Sequence, residues 1–285
     1  MTAALRTPSP SGRCGRMEKS RVPSSNLRSS SATGIALETG YRHIDTAQAY
    51  YNEEGVGRAV AKSGVARDEL FLTTKVWIYH AGEKNAAASI DGSLHKLGCD
   101  YVDLLLVHQP FGDYYGTWRA LEAAYRSSKA RAIGVSNFYP DRLVDLCRFS
   151  EIKPMVDQVE THVFQQQRAA REVMDRYGVA HESWGPFAEG RNGLFANPVL
   201  AAVGAKHGKT AAQTALRFLI QSGVAVIPKS SRKERMAENF EVFDFELDAE
   251  DLDAIRALNQ GESLFFSHYD PESVESMADF GHRVL

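Results

Sequence analysis

No run of 18 apolar residues occurs in this chain of 285, so no transmembrane helix is expected. Cysteine is scarce. Cys14, Cys99 and Cys147 are scattered and odd in number, which suggests neither a disulfide framework nor a zinc site. A reducing compartment, the cytoplasm, is therefore the default expectation. No excess of charge is present either: 33 basic against 36 acidic residues leave a net charge of −3. That gives no electrostatic case for nucleic acid or an anionic membrane as partner. A Gly-rich phosphate loop directly after a strand is also missing. The nearest match, Gly55-Val-Gly57, lies inside a helical pattern, which tells against a doubly wound dinucleotide-binding sheet.

Residues 1–34 lack a period of either 2 or 3.6. They hold eight serines, six basic residues and a single acid, Glu18. The composition reads as a disordered or atypical arm. An Arg- and Ser-rich, acid-poor segment also permits an organellar transit peptide as the alternative. Residues 35–285 differ. Gly40 suits a helix C-terminal cap after Ile35–Thr39. Strand patterns then begin at residues 41, 70, 101, 130, 155, 179 and 224, with helical patterns between them. Residues 261–285 read as a mixed tail with aromatics at Phe265, Phe266 and Tyr269. Strands alternating with helices imply βαβ units and a parallel sheet. Apolar runs such as Leu104–Val107 fit strands covered on both faces. A (β/α)8 barrel takes about 250 residues, so one such domain fits the length.

The polar residues of interest fall at strand C-termini. Asp45, Lys75, His108, Ser136-Asn137, Gln158, Trp184 and Lys229 end or follow the seven strands in turn. In a closed barrel these ends share one face, the one that carries catalytic groups. Each residue alone has a plainer reading: Asp45 as a turn cap, Lys75 as a surface lysine, His108 as a core histidine. Their joint placement on one rim is what points to chemistry.

Five segments resemble the signatures of the aldo-keto reductases, in order and spacing. They are Gly40-Tyr-Arg-His-Ile-Asp-Thr-Ala47, Leu105-Leu-Val-His108, Gly134-Val-Ser-Asn-Phe138, Asp157-Gln-Val-Glu160, and Ile227-Pro-Lys-Ser230 with Arg235-Met-Ala-Glu-Asn239. The form is most similar to the microbial branch containing 2,5-diketogluconate reductases and prostaglandin F synthase-like enzymes. The resemblance covers roughly residues 35–270. It implies NADPH-dependent reduction of aldehydes or ketones by a tetrad of Asp45, Tyr50, Lys75 and His108, with Tyr50 as proton donor. An unassisted tyrosine, with a pKa of about 10, suits neutral pH poorly. A lysine ammonium at about 4 Å supplies about 4 kcal/mol in favour of a phenolate, at an effective dielectric of about 20. Asp45 would keep Lys75 charged, which disfavours a Schiff-base lyase, and His108 would orient the substrate carbonyl.

The resemblance also implies cofactor contacts. Ser136, Asn137 and Gln158 would hold the nicotinamide carboxamide, and Trp184 would stack on the ring. Lys229, Ser230 and Arg235 would hold the 2′-phosphate, and Glu238 and Asn239 the adenine. Trp77 and His108 would line the substrate pocket, with Phe265 and Tyr269 either joining them or packing in the core. No metal is implied, and the family's usual form is a monomer. One departure stands out. Family members begin with a hairpin, a first strand and a first helix, of which only Ile35–Thr39 is recognisable. The expectation is thus a (β/α)8 barrel lacking the N-terminal hairpin, first strand and most of the first helix. Its alternative function is that of a catalytically defective relative, a binding protein or a chain that does not fold stably alone.

Overall fold

Alternating apolar runs and amphipathic stretches produce the expected order of elements in a computed structural model, which describes residues 2–4 and 24–279. The strands are β1 (Thr2–Ala4), β2 (His43–Asp45), β3 (Phe71–Val76), β4 (Val102–Val107), β5 (Ala130–Ser136), β6 (Val156–Glu160), β7 (Ala180–Trp184) and β8 (Ala225–Val226). The helices on the strand connections are α1 (Ser24–Thr39), α2 (Glu53–Ser63), α3 (Glu83–Leu97), α4 (Tyr114–Arg126), α5 (Pro140–Phe149) and α6 (Arg168–Tyr177). They continue with α7 (Pro198–Lys206), α8 (Ala211–Gln221), α9 (Lys233–Phe240), α10 (Ala249–Arg256) and α11 (Pro271–Asp279). The eight strands form one curled parallel sheet in sequential order. All seven strands expected from the sequence are present. This is the α/β architecture of the (β/α)8 type.

The expected loss of the first helix is overturned. α1 runs for 16 residues and packs against α2 and α9. Among its described side chains the buried stripe is made of small residues, Ser29, Ala32, Thr33 and Ala36, with Leu37 the one large member. A stripe that small carries no hydrophobic period, which is why a serine-rich segment hid a helix. The expected loss of the first strand is also revised, since Thr2–Ala4 pairs in parallel with His43–Asp45. Residues 1 and 5–23, which carry most of the presumed arm and the place of a hairpin, lie outside the described residues. So do residues 280–285.

Gly40 and Gly57 both bear on how α1 and α2 are placed. Gly40, at φ +112°, turns the chain from α1 into β2 as expected of a cap, where a Cβ would lie 3.4 Å from the Phe240 ring. Gly57 explains the Gly-Val-Gly sequence inside α2. A Cβ there would stand 2.5 Å from the Leu97 carbonyl oxygen, so the glycine permits close approach of α2 to the end of α3.

One core residue is poorly accommodated. The strand alternation of β6 puts Gln158 and Glu160 on one face and Asp157 on the other. Asp157 is fully buried, and neither carboxylate oxygen completes a well-formed hydrogen bond. Burial pushes its pKa well above the usual carboxylate range, against a weak opposing pull from the Phe138 backbone N–H. The unfolded chain ionises at about pH 3.9, so the native state loses stability as pH rises beyond that value. Asp157→Asn removes this penalty. It should raise the melting temperature at pH 8, and the gain should vanish near pH 4. An equal effect at both pH values would mean that Asp157 is not held neutral.

Candidate active site

The site is built on the C-terminal ends of β2, β3 and β4, which end at Asp45, Val76 and Val107. Asp45, Lys75 and His108 are all nearly or fully buried, and Tyr50 is half-buried above them. The Lys75 ammonium forms an ion pair with Asp45 Oδ1 and donates to the Thr46 carbonyl at 3.1 Å. Burial works against the ammonium. The Asp45 carboxylate outweighs it, helped by Tyr50 and Glu182, and holds the Lys75 pKa above its ordinary value. The lysine therefore stays charged through the neutral range. Its Nζ lies 5.2 Å from the centroid of the Tyr50 ring. The His108 ring meets Tyr50 edge-on at 5.6 Å and Trp77 edge-on at 5.0 Å. The four tetrad residues and Trp77 thus come together.

Tyr50 ends a single turn of 3-10 helix, Gln48–Tyr50, that is braced from three sides. The Gln48 side chain accepts from the Trp77 backbone N–H at 2.9 Å and donates to Ser93 Oγ at 3.0 Å. Thr46 Oγ1 donates to Asn52 Oδ1, and Asn52 Nδ2 donates to Ser29 Oγ of α1. The helix missed in the sequence thus supports the loop that carries Tyr50. No signal in the sequence alone singled out Gln48, Asn52 or Ser29.

Around this centre the polar rim is tightly knit. Ser136 Oγ donates to the Gln158 backbone carbonyl at 2.8 Å. Asn137 takes the left-handed conformation, φ +64°, which asparagine tolerates better than most residues. Its amide nitrogen donates to the His108 carbonyl and to Ser136 Oγ, and its Oδ1 accepts from Trp184 Nε1 at 2.8 Å. The Gln158 amide nitrogen donates to Asp45 Oδ2 at 2.9 Å and to Glu182 Oε2 at 3.1 Å. Sequence reading missed Glu182. The available signal was an acid inside the strand run of residues 179–184. Burial, reinforced by Asp45, pushes its pKa up to about 7, against the opposing pulls of the Gln158 hydrogen bond and Lys75.

The tail closes over the same face. Glu160, also without an assigned role in the sequence, accepts from Ser263 Oγ, the Leu264 N–H and His162 Nε2. Phe265 meets Trp184 edge-on at 5.1 Å, and Phe266 stacks on it at 5.8 Å. Phe265 and Tyr269 line a cavity of about 790 Å³ that also reaches Asn137 and Trp184. Tyr269 is 70% exposed, so its alternative assignment to the core is excluded.

The second predicted group stands apart from the tetrad. Lys229 and Ser230 follow β8, and Arg235, Glu238 and Asn239 lie on α9. Lys229 and Arg235 are exposed. Ser230 Oγ caps the turn before α9 by accepting from the Arg232 N–H. Glu238 accepts from Thr210 Oγ1 at 2.7 Å. Asn239 is 5% exposed, which leaves little of it for a ligand in this arrangement.

A buried lysine–aspartate pair thus lies beneath a tyrosine and a histidine at the C-terminal ends of parallel strands, the face on which barrels of this type carry catalytic groups. The chain belongs to the aldo/keto reductase family, whose model matches residues 29–260. It is 48% identical to the glyoxal reductase of Bacillus subtilis (strain 168) over 230 residues, spanning 80% of this chain and 83% of that one. Among solved structures it resembles MGS-M4, an aldo-keto reductase from a Medee basin deep-sea metagenome library. The TM-score is 0.83 and the identity 42%, covering 86% of this chain and 91% of that one. A variant of Gox0644 in complex with NADPH matches with a TM-score of 0.79 at 35% identity, covering 84% and 88%.

Proposed function

We propose that the protein reduces aldehydes and ketones to alcohols with NADPH, and that Tyr50 is the proton donor. The observation that carries this reading is the buried Asp45–Lys75 pair beneath the Tyr50 ring, with His108 beside it. Bound NADPH would supply hydride to the carbonyl carbon. As the carbonyl oxygen gains negative charge, the Tyr50 hydroxyl gives it a proton. Lys75 favours the phenolate that remains, and Asp45 prevents Lys75 from losing its own charge. His108 and Trp77 line the substrate side, where the imidazole orients the carbonyl and the indole excludes water.

The residues present suit the cofactor. Among the described residues none donates a hydrogen bond to Gln158 Oε1, so that carbonyl is available to a carboxamide N–H. With Ser136 and Asn137 it would hold the nicotinamide end, next to Trp184. Lys229, Ser230 and Arg235 would hold the 2′-phosphate and Glu238 the adenine, while the buried Asn239 would reach the adenine only if its surroundings moved. No helix among the described residues is long and apolar enough to cross a membrane. We take the enzyme to work as a cytoplasmic monomer on small carbonyl compounds, of which the glyoxal reductase relative suggests dicarbonyls.

The decisive experiment follows NADPH oxidation by the purified protein with methylglyoxal or glyoxal, alongside a thermal melt with and without NADPH. Turnover and an NADPH-induced rise in melting temperature are expected. A rise without turnover would leave a binding protein, and no rise would sink the NADPH reading altogether. Within that reading, Arg235→Ala should weaken NADPH by about 10- to 100-fold, the loss of charge-assisted hydrogen bonds to phosphate. NADH, which lacks the 2′-phosphate, should be almost unaffected. Equal losses measured by fluorescence titration would remove Arg235 from the phosphate site.

A further inference from the structure

We propose that Glu182 is a positioning residue of the cofactor site, acting through Gln158. It shares with Asp45 the two amide hydrogens of Gln158, so that the Gln158 carbonyl is the atom turned toward the nicotinamide carboxamide. The inference rests on the NADPH reading above. Its basis is the chain of contacts running from Glu182 Oε2 to Gln158 Nε2 at 3.1 Å, and from the same nitrogen to Asp45 Oδ2 at 2.9 Å. Glu182, Gln158 and Asp45 are each at most 3% exposed, so water cannot substitute for these partners. A primary amide has two N–H donors, and two carboxylates accept both. Among the described residues none donates to its oxygen, which is thus left to accept from a ligand. Were Glu182 neutral, it could itself donate, and the amide would lose its single preferred orientation.

Glu182 is thereby sensitive to pH. The groups facing it are Asp45 and His43 from β2, Lys75 from β3, the Gln158 amide from β6 and, beyond Lys75, Tyr50. His43 lies 3.7 Å from Glu182, but burial, helped by Lys75, lowers its pKa to about 3, so it does not titrate in the neutral range. Lys75 stays charged over the same range. Glu182 changes charge near pH 7, and above that value it accepts from Gln158 without competition from its own proton.

The test compares NADP⁺ with its 3-acetylpyridine analogue, in which a methyl replaces the carboxamide NH2 and the carbonyl is kept. Dissociation constants come from quenching of protein fluorescence. The wild-type chain should prefer NADP⁺ by about tenfold, the worth of a hydrogen bond that the methyl cannot make. In Glu182→Gln, NADP⁺ should weaken by about that factor while the analogue is unchanged. In the wild type the preference should grow as pH rises through neutrality. The 2′-phosphate, with its second pKa of about 6, is common to both ligands and cancels in the ratio. Equal weakening of both nucleotides would mean a merely structural Glu182. An unchanged preference in the variant, or a flat wild-type ratio from pH 6 to 9, would also overturn the proposal. If Glu182→Gln does not melt cooperatively, the wild-type pH series decides alone. Wild-type protein that binds neither nucleotide would sink the NADPH reading, and this inference with it.

Discussion

Replacing Tyr50 by Phe is expected to lower kcat for methylglyoxal reduction by about 100- to 10,000-fold, the usual worth of a positioned general acid. The NADPH dissociation constant and the melting temperature should barely move. The substitution removes one oxygen from a half-buried ring and leaves its packing on His108 and Lys75 in place. Without the hydroxyl, the developing alkoxide must take its proton from water in a site closed by Trp77 and the tail. Lys75 would remain, but its ammonium is committed to Asp45 and the Thr46 carbonyl, below the ring rather than at the substrate. A residual rate within a few-fold of wild type would assign the proton to another group, with His108 the first candidate. A comparable fall in both kcat and NADPH affinity would instead point to a displaced loop. The bracing of Gln48 by Trp77 and Ser93 makes that outcome the less expected one.

The sequence and the structure agree where side chains are large and strands are doubly covered. β4 is buried at every position, so it reads as an unbroken apolar run and is easily found. The tetrad was legible because its members end successive strands, a register that survives without knowledge of any contact. Three things were not legible, each for a physical reason. α1 buries small residues against α2, so its amphipathic pattern has almost no amplitude. α11 carried a usable signal, since Asp270 caps its first turn by accepting from Ser273 and Pro271 opens the helix, but the aromatic tail around it masked the period. Glu182 and Glu160 are acids whose purpose depends on partners far along the chain. Gln158 is 24 residues from Glu182, and Leu264 is 104 from Glu160, so neither contact has a local signature. Gln158 is the instructive case. Its resemblance-based role concerned only the nicotinamide, whereas the folded chain also uses its nitrogen to join two acids.

Removing Asp45 should be costly for stability. Asp45→Asn keeps the shape but leaves the Lys75 ammonium, 0% exposed, without its main partner. Breaking a buried pair from one side typically costs about 3–5 kcal/mol, a large part of the roughly 5–15 kcal/mol that holds a domain together. Glu182 should moderate this loss in a pH-dependent way. With the repulsion from Asp45 gone and the attraction of Lys75 retained, its native pKa should fall below the value of about 7 found with Asp45 present. The wild type loses stability as pH rises from the ordinary carboxylate range to about 7, because its Glu182 resists ionising there while the unfolded chain does not. The variant should lose less over that interval. The cost of Asp45→Asn should therefore be greater near pH 5 than near pH 8, as read from urea midpoints. A second comparison separates charge from shape. Asp45→Leu combined with Lys75→Met should recover much of the loss, since two apolar side chains leave no charge uncompensated. If the double variant is no more stable than Asp45→Asn, packing rather than the stranded ammonium accounts for the cost. If Asp45→Asn costs less than about 1 kcal/mol at every pH, the buried pair is not holding Lys75 in its charged state.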